Sequence, residues 1–406
     1  MEEGERRTSS YDGFFLSLLL LLAGGWLVSA EAVGEGGSRN NSLCAAVIRP
    51  LGYPCFEHTV ETKDGYILAI QRIPNGRELV KSEPGPAVFL QHGLFQGGDT
   101  WFANSIEESL GFILADSGFD VWVGNVRGTN WSHGHVSLSE SNKEFWDWSW
   151  EELALYDLSA MINYVYSATN SKVHFVGHSQ GTIMALAAFT QPMISEMVAA
   201  ASLLCPISYL DHISSHFVLR AVSMHVDQML VAIGLHQLNF RSNIGIQVLE
   251  SVCDGHINCS DLLSAITGNN CCFNNSRVDQ YLKYEPQPSS TKNLRHLFQM
   301  IRKGTFSRFD YGPWGNLKSY GSLKPPAFDL TNIPDSLPLW IAYGGQDALA
   351  VPTDIDHTLQ ELQPEPQMLY LDSYGHMDFI LSPYAKTDVY DKLIEFLRSC
   401  GRRSTY

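Results

Sequence analysis

The chain has 406 residues, 45% of them hydrophobic and 17% charged, so it can bury a large core and is neither repetitive nor low in complexity. Its formal net charge is −16, from 43 acidic and 27 basic residues. Because no basic stripe is present in the sequence to neutralise phosphates, we expect no nucleic-acid partner.

An apolar run begins at Phe14 and ends in the small residues Val28, Ser29 and Ala30. This pattern is typical of a secretory signal peptide that is cleaved after Ala30, and we expect residues 1–30 to be removed. The flank before the run carries more acidic than basic residues, which is unusual for a signal peptide and makes an uncleaved anchor the alternative. Elsewhere in the sequence we expect no transmembrane insertion.

Other features agree with the secretory pathway. Sequons at Asn40, Asn258 and Asn274 are candidate glycosylation sites. Eight cysteines, an even number, suit an oxidising compartment in which disulfides form. Cys205 lies in an apolar run and is predicted to be a buried free thiol.

Two groups of cysteines stand out along the chain. Cys44 and Cys55 bracket one segment, and a second segment contains Cys253, Cys259, Cys271 and Cys272. The stretch CDGHINC in the second group also contains a histidine and therefore allows a zinc site. Its irregular spacing favours disulfides over zinc, and the pairing stays open. We predict no metal and no organic cofactor.

From Cys55 onward, strand-like and helix-like segments alternate, which is typical of an α/β fold with a mainly parallel sheet. A hairpin is predicted around the turn Lys63-Asp64-Gly65. Short apolar runs with polar residues at their ends predict buried parallel strands within 86–94, 120–128, 172–179, 201–207, 338–347 and 366–376. Helical spacing of apolar residues occupies 105–118, 150–169 and 385–399.

The interval 208–322 interrupts this rhythm of strands. It is rich in Met, Leu, His and Phe, and its apolar positions suit several short helices. We interpret it as a mostly helical cap inserted over the carboxyl edge of the sheet, without a sheet of its own. An ordinary helical extension is the alternative. Residues 55–207 and 323–406 would then form the core, with helices on both faces of the sheet, and residues 31–54 an N-terminal segment.

The stretch FVGHSQGTIMALAAF passes from an apolar strand through Gly-His-Ser-Gln-Gly directly into an apolar helix. A turn this sharp places its central residue in a strained conformation, and neighbouring Cβ atoms would collide there. Gly177 and Gly181 remove those collisions. Ser179 is left at the apex above the positive end of the helix, where a nucleophile would be exposed. Because G-x-S-x-G also occurs by chance, the rest of the chain must decide.

A serine hydroxyl needs a base to take its proton, and that base is most often a histidine held by a carboxylate. Asp347 follows an apolar strand and a Gly-Gly turn in AYGGQDALA, and His376 follows the next strand in DSYGHMDF. The order Ser179, Asp347, His376 is that of α/β-hydrolases. We predict these residues to be the nucleophile, the acid and the base, although Asp347 could instead be a turn residue and His376 a surface histidine.

An acyl-transfer reaction also needs hydrogen-bond donors for the developing oxyanion. An early predicted strand ends in His92-Gly93-Leu94, which matches the turn after the third strand of this fold. We predict the backbone N–H groups of Leu94 and Gln180 as the donors. His92 and His178 are interpreted as residues that hydrogen-bond within their loops or orient the site, and not as the base.

Eight segments, in order from about Cys44 to the C-terminus, carry a family resemblance: GYPCFEHTVETKDGYILAIQRIP, LQHGLF, GFDVWVGNVRGTNWSHGH, FWDWSWEELALYDLSAMINYV, VGHSQGT, FDYG, YGGQDALA and YGHMDF. They resemble the acid lipases of the α/β-hydrolase fold, the group of lysosomal acid lipase and gastric lipase, and look most like plant triacylglycerol lipases. The resemblance implies Ser179, Asp347 and His376 as the catalytic residues and Leu94 and Gln180 as the oxyanion donors. These are the residues that the strand ends predict.

Within NVRGTNWSHGH, we predict that Arg127 pairs with a nearby carboxylate, with Asp157 as the candidate, and braces the loop beside the active site.

We therefore predict a serine carboxylic ester hydrolase that acts on neutral lipids at a lipid interface. The substrate would be an acylglycerol or, alternatively, a sterol ester. An apolar cap favours long acyl chains because each buried CH₂ contributes about 0.8 kcal/mol. An acyltransferase that uses the same triad and a catalytically inactive lipid-binding protein are the alternatives. The extracellular space and an acidic organelle, lysosome or vacuole, are both open as destinations, and so is the oligomeric state.

Overall fold

The computed structural model of the protein describes residues 42–78, 84–240, 259–274 and 277–401. Within them lies a nine-stranded sheet, whose strands are β1 (Phe56–Glu61), β2 (Tyr66–Ile73), β3 (Ala87–Gln91), β4 (Asp120–Gly124), β5 (Gly134–His135), β6 (Val173–His178), β7 (Val198–Leu204), β10 (Leu339–Gly344) and β11 (Gln367–Leu371). Their order in the sheet is β1-β2-β4-β3-β6-β7-β10-β11, with β5 beside β2.

The sheet is mainly parallel, as predicted. Neighbouring strands from β4 through β3, β6, β7 and β10 to β11 are parallel, whereas β1 and β2 pair antiparallel. Every residue of β3, β4 and β6 is buried, which explains why these strands read as continuous apolar runs. The predicted hairpin is present, and its turn places Gly65 at a φ of +93°. The carboxyl ends of the parallel strands therefore meet at one edge.

Helices cover the sheet and connect its strands. In the described residues outside 208–322, the α-helices are Leu110–Asp116, Trp150–Glu152, Ser159–Thr169, Gln180–Phe189, Pro192–Ser195, Pro352–Glu361, Asp378–Leu381 and Asp391–Gly401. Shorter 3₁₀ turns occupy Arg49–Leu51, Gly98–Phe102, Lys143–Trp146 and Leu330–Asn332, and wider π-helical turns occupy Cys44–Ile48, Leu153–Leu158 and Lys386–Tyr390.

The predicted helices differ from the observed ones in detail. The segment 105–118 is helical only from Leu110, because Ser105 to Glu108 form a turn closed by a backbone hydrogen bond of 3.1 Å. The helical segment that starts at Trp150 begins at a capping box, in which Ser149 and Glu152 bond each other's backbone N–H groups. It then widens into a π-helical turn before continuing to Thr169.

The segment between β7 and β10 contains short helices, as predicted for 208–322. Those in the part of this segment that the structure describes are His216–Ser223, Val226–Ala232, Cys259–Thr267, Val278–Leu282, Thr291–Lys303 and Pro313–Tyr320. A two-residue ladder, β8 (Gln237–Leu238) with β9 (Ser289–Ser290), is also present and was not predicted. The predicted signal peptide, Asn40, Asn258 and the first six residues of CDGHINC lie outside the described residues.

Two disulfides occur in the described part of the chain. One joins Cys44 to Cys55 and ties the N-terminal segment to the start of β1. The other joins the adjacent residues Cys271 and Cys272. Cys205 is a buried free thiol, as predicted. Of the helices in the described ranges, none has the length and apolar character needed to span a bilayer.

Candidate active site

Ser179 occupies the junction between β6 and the helix Gln180–Phe189, with φ +54° and ψ −120°. This is a backbone conformation that residues with a side chain rarely adopt. A Cβ atom at Gly181 would lie 2.5 Å from the carbonyl oxygen of Gln91, so only glycine permits this close approach. Thr182 donates its backbone N–H and its hydroxyl to the Ser179 carbonyl, at 2.8 and 2.6 Å. The sharp strand-to-helix turn predicted from the sequence is therefore present.

Asp347 and His376 lie beyond the carboxyl ends of β10 and β11, and their side chains meet. His376 Nδ1 is 2.8 Å from Asp347 Oδ2, and both residues are 3% exposed. The other carboxylate oxygen, Oδ1, accepts the backbone N–H groups of Leu349 and Ala350, each at 2.8 Å. Burial by itself would raise the pKa of Asp347, but His376 and these two donors hold it below its usual value. The carboxylate thus fixes the ring with Nδ1 toward Asp347.

His178 connects the serine turn to the loop of His376. Its Nε2 lies 3.0 Å from the His376 carbonyl oxygen, which can only accept, so Nε2 carries the proton. Burial, with a contribution from His376, lowers the pKa of His178 to about 3. A neutral ring that donates to a fixed carbonyl suits the predicted orienting role.

The loop that begins at Gly93 packs directly against Ser179. A Cβ atom at Gly93 would lie 3.0 Å from Ser179 Cβ. Leu94, predicted as an oxyanion donor, follows in this loop and is half-buried. His92 hydrogen-bonds within its loop as predicted, because Nδ1 donates to the Gly93 carbonyl at 2.9 Å. Its Nε2 also accepts the backbone N–H of Val126, in the loop after β4, at 3.2 Å. Burial lowers the pKa of His92 to about 4.

Gln96 and Asp378 support the site and were missed by the sequence analysis. Gln96 Oε1 accepts the backbone N–H of Gly93 at 2.9 Å. Asp378 accepts three backbone N–H groups, from Gly375, Cys271 and Cys272, at 2.7 to 3.2 Å. Each follows a predicted site residue by two positions: Gln96 follows Leu94 in HGLFQ, and Asp378 follows His376 in HMD. The sequence could have revealed both residues, because each is a polar side chain close in the chain to a loop whose backbone N–H groups need acceptors.

The Gln180 side chain meets a buried residue of the segment between β7 and β10. Asn293, on the helix Thr291–Lys303, donates its Nδ2 to Gln180 Oε1 at 2.8 Å and to Ser289 Oγ at 3.2 Å. Asn293 has no solvent exposure. Gln180 is the residue whose backbone N–H was predicted to face the oxyanion. Its side chain thus links the serine turn to the helical segment above it.

Arg127 is buried and pairs with Asp157, as predicted. Its Nε and Nη2 donate to Asp157 Oδ1 at 2.8 and 2.6 Å, and its backbone N–H donates to Oδ2 at 2.9 Å. The same guanidinium donates to Asp64 in the β1–β2 turn and lies 3.8 Å from the centre of the Tyr66 ring. Burial raises the pKa of Asp157, whereas Arg127 lowers it, and the overall direction is upward.

Two groups of residues with metal-ligand chemistry adjoin the site. In the first, His178 and Cys205 both direct their donors at the His376 carbonyl. In the second, Cys271 and Cys272 are joined in a disulfide, and Asp378 already accepts three N–H groups. Their ligand atoms are therefore engaged within the protein.

A family model described as alpha/beta hydrolase fold matches residues 86–383, and one described as partial alpha/beta-hydrolase lipase region matches residues 44–105. Triacylglycerol lipase 1 of Arabidopsis thaliana is 60% identical over 91% of this chain and 94% of its own. Gastric triacylglycerol lipase of Bos taurus is 36% identical over 85% and 88%.

Among solved structures, a soluble variant of monoglyceride lipase from Saccharomyces cerevisiae, in complex with a substrate analog, has a TM-score of 0.55 and 13% identity. The match covers 84% of this chain and 94% of that one. At this identity the likeness concerns the fold, and it agrees with the observed sheet.

Proposed function

The chain belongs to the lipases of the α/β-hydrolase fold, and we propose that it hydrolyses carboxylic esters of neutral lipids, with a triacylglycerol as the substrate, through an acyl-enzyme on Ser179. The relatives named triacylglycerol lipases support the reaction class. The observation that carries the mechanism is the strained Ser179 turn, which His178 joins by a hydrogen bond to the loop of the buried Asp347–His376 pair. Such a pair can activate a neighbouring hydroxyl and stabilise the imidazolium that forms.

The proposed reaction has two steps. In the first, His376 Nε2 takes the Ser179 proton while Oγ attacks the ester carbonyl, and the oxyanion accepts the N–H groups of Leu94 and Gln180. The protonated His376 then donates to the departing alcohol, which leaves the acyl group on Ser179. In the second step, water attacks the acyl carbonyl while His376 takes its proton, the bond to Ser179 Oγ breaks, and His376 returns the proton to Oγ as the fatty acid leaves. Asp347 stays ionised throughout and holds the ring in its tautomer. No step calls for a metal or an organic cofactor.

We also propose residues 208–322 as the cap over this site. Three of its segments contact the loops around Ser179: Thr267 and Gly268 against the Asp347 loop, Gln287 against Phe95, and Asn293 against Gln180. A predominantly apolar cap would bury an acyl chain and so favour long-chain esters.

We propose passage through the secretory pathway, with residues 1–30 as the signal peptide. The Cys44–Cys55 disulfide supports an oxidising compartment. The sequon at Asn274 lies on a half-buried residue of the cap. Glycosylation of Asn40, Asn258 or Asn274 and the final destination, extracellular or lysosomal and vacuolar, are tested together by glycosidase digestion and fractionation of the expressed protein.

The decisive experiment compares release of oleate from emulsified triolein by the wild type and by Ser179→Ala between pH 4 and pH 9. We expect release by the wild type and a loss of about 10⁵-fold or more in the variant, because the residual rate reflects binding and the oxyanion hole only. Ser202→Ala is the matched control. Its hydroxyl is buried on β7, one strand away, and has no hydrogen-bond partner within the described ranges.

The other possible outcomes would indicate a different nucleophile, a different activity or a different substrate. Equal release by Ser179→Ala and the wild type would reject Ser179 as the nucleophile. Binding of triolein without release by either would favour a lipid-binding protein. Transfer of the acyl group to an added alcohol in preference to water would favour an acyltransferase, and faster release from cholesteryl oleate would make a sterol ester the substrate.

A further inference from the structure

A helix at the end of the proposed cap has its polar side toward the protein and its apolar side toward solvent. In Pro313–Tyr320, Trp314 is 81% exposed and Leu317 is 44% exposed. Residues three and four positions apart share one face of a helix, so exposed Lys318 lies on the same side as Trp314 and Leu317. Leu323, in the bend after the helix, is 57% exposed. We call Trp314, Leu317 and Leu323 the apolar patch.

Polar contacts fasten the opposite side of this helix to the protein. Asn316 is 1% exposed and donates its Nδ2 to Asp310 Oδ1 at 2.7 Å and to the Leu323 carbonyl at 3.2 Å. Tyr320, one helical turn further on, donates its hydroxyl to the Phe309 carbonyl at 2.9 Å. These bonds fix the rotation of the helix about its axis. The apolar patch is therefore held outward by the fold.

The charge around the apolar patch is opposite to that of the whole chain, which carries a formal net charge of −16. Between Asp310 and Asp329 the sequence has two lysines, Lys318 and Lys324, and no acidic residue. Both lysines are exposed. Asp310 itself pairs with Lys303. The surface at the apolar patch is therefore complementary to an anionic partner.

The size and composition of the apolar patch favour a lipid layer over a protein as that partner. A stable protein interface buries about 800 Å² of each partner and uses roughly 20–30 residues a side, many more than the three of the patch. Lysine is also depleted from the core of protein interfaces. Tryptophan beside lysine is typical of membrane surfaces, where the indole lies at the level of the headgroups and the ammonium group reaches anionic lipid.

We propose that the apolar patch inserts into phospholipid layers that contain anionic lipid, while Lys318 and Lys324 bind the headgroups. The inference rests on the proposed function, because it names the surface by which a lipid hydrolase would reach its substrate. Insertion removes the exposed apolar side chains from water, and the two lysines neutralise charge that the acidic remainder of the protein would repel.

Hydrogen bonds connect this region of the cap to the serine turn. Tyr311, two residues before the helix, accepts a hydrogen bond from Lys292 Nζ at 2.9 Å. The next residue along the chain, Asn293, donates to Gln180 Oε1 at 2.8 Å. Gln180 directly follows Ser179. Docking at the apolar patch therefore holds the cap, and with it the serine turn, at the lipid layer.

The test measures partitioning onto vesicles by co-sedimentation, a readout that needs no catalysis. Vesicles of phosphatidylcholine alone and of equal parts phosphatidylcholine and phosphatidylserine are compared. The double variant Trp314→Ser with Leu317→Ser should bind the mixed vesicles at least about tenfold more weakly than the wild type, because two apolar side chains no longer enter the layer. Met193→Ser is the matched control, since Met193 is 83% exposed on a different helix, and it should bind like the wild type.

The charge is tested by a second double variant, Lys318→Glu with Lys324→Glu. Each lysine close to an anionic layer contributes about fivefold to binding, so reversal of both should weaken partitioning onto the mixed vesicles by about 25-fold or more. Partitioning onto phosphatidylcholine alone should stay unchanged. The gain that the wild type derives from phosphatidylserine should also shrink as the salt concentration rises.

Two further readouts locate the contact and separate it from the chemistry. Brominated phosphatidylcholine in the mixed vesicles should quench part of the wild-type tryptophan fluorescence, and Trp314→Phe should remove that part. With 4-nitrophenyl butyrate, a soluble ester, the first double variant should keep the wild-type kcat/KM. With triolein emulsified by the mixed phospholipids, its apparent KM should rise several-fold with little change in kcat.

The outcomes distinguish this inference from the proposed function. Wild-type partitioning of the Trp314→Ser, Leu317→Ser variant, or no binding of the wild type to either vesicle, would overturn the docking surface. Self-association of the wild type that this variant loses, with equal vesicle binding, would make the apolar patch an interface between copies and overturn it too. Vesicle binding through the patch by a protein that hydrolyses no ester would support the docking surface and reject the proposed function. Should the double variant not fold, Leu323→Ser carries the same test.

Discussion

Asp347 is held from two directions, by His376 on one carboxylate oxygen and by two backbone N–H groups on the other. This arrangement keeps the group ionised in acid, because its pKa lies below the usual value of an aspartate. Ionisation matters for the proposed mechanism, since a neutral side chain could not stabilise the imidazolium. The orientation of the ring and its charge therefore depend on the same residue.

Asp347→Asn keeps the size of the side chain and removes its charge. We expect kcat to fall by roughly 10³- to 10⁴-fold, because an amide can present its N–H to Nδ1 and favour the wrong tautomer of His376. The measurement is triolein hydrolysis at the wild-type optimum, with Asp335→Asn at an exposed position as the control. A loss of less than tenfold in Asp347→Asn would exclude Asp347 as the acid of the triad.

At the scale of secondary-structure elements, Arg127 connects three segments of the chain. It bonds the loop after β4 to Asp157 in the π-helical turn Leu153–Leu158 and to Asp64 in the β1–β2 turn. The arginine is 1% exposed and Asp157 is fully buried. Removing one partner of a buried ion pair leaves the other charge buried and unpaired. The resulting loss in unfolding free energy exceeds the net stabilisation that the intact pair provides.

Arg127→Ala is therefore expected to lower the free energy of unfolding by about 3–5 kcal/mol and to reduce activity with it. Urea denaturation and triolein hydrolysis measure the two effects. Lys143→Ala, which breaks an exposed pair with Glu144, should change stability by less than about 1 kcal/mol. An Arg127→Ala protein that is fully stable but inactive would contradict the brace and indicate a direct role in the reaction.

At the scale of the whole molecule, the segment between β7 and β10 contacts several of the loops around Ser179. Thr267 and Gly268 pair with the Asp347 loop, Asn270 accepts the backbone N–H of Met377, and Asn293 donates to Gln180. These contacts make the proposed cap part of the site's framework. A substitution within the cap should therefore change the catalytic rate even though the substituted residue does not contact the reacting atoms.

Asn293→Leu tests this coupling, since it preserves size and leaves Gln180 Oε1 buried without its donor. We expect a loss of about 1–3 kcal/mol in unfolding free energy and a several-fold lower kcat with little change in KM. Asn332→Leu, at an exposed position, is the control. Wild-type values of both quantities for Asn293→Leu would show that the cap and the serine turn act independently.

Much of this architecture could be predicted because its signals are local. The buried strands β3, β4 and β6 read as short apolar runs, and the two glycines around Ser179 marked the sharp turn. The pairing of Arg127 with Asp157 was also predicted from the two segments that carry them. The first residue of a helix was harder to predict. The turn before Leu110 has apolar and acidic residues that would suit a helix as well as a turn. The roles of Ser179, Asp347 and His376 remain predictions that the variants above address.

The amino-acid sequence by itself determined the order of strands and helices and the polar groups at the strand ends, because periodicity and glycine positions act over a few residues. Only the tertiary structure decided which distant groups meet. Glu285 and Gly97 are separated by 188 residues, and Asn293 and Gln180 by 113. No local pattern encodes such pairs. They arise where the packed cap buries polar groups that must find partners, as the Glu285 carboxylate does with the backbone N–H of Gly97.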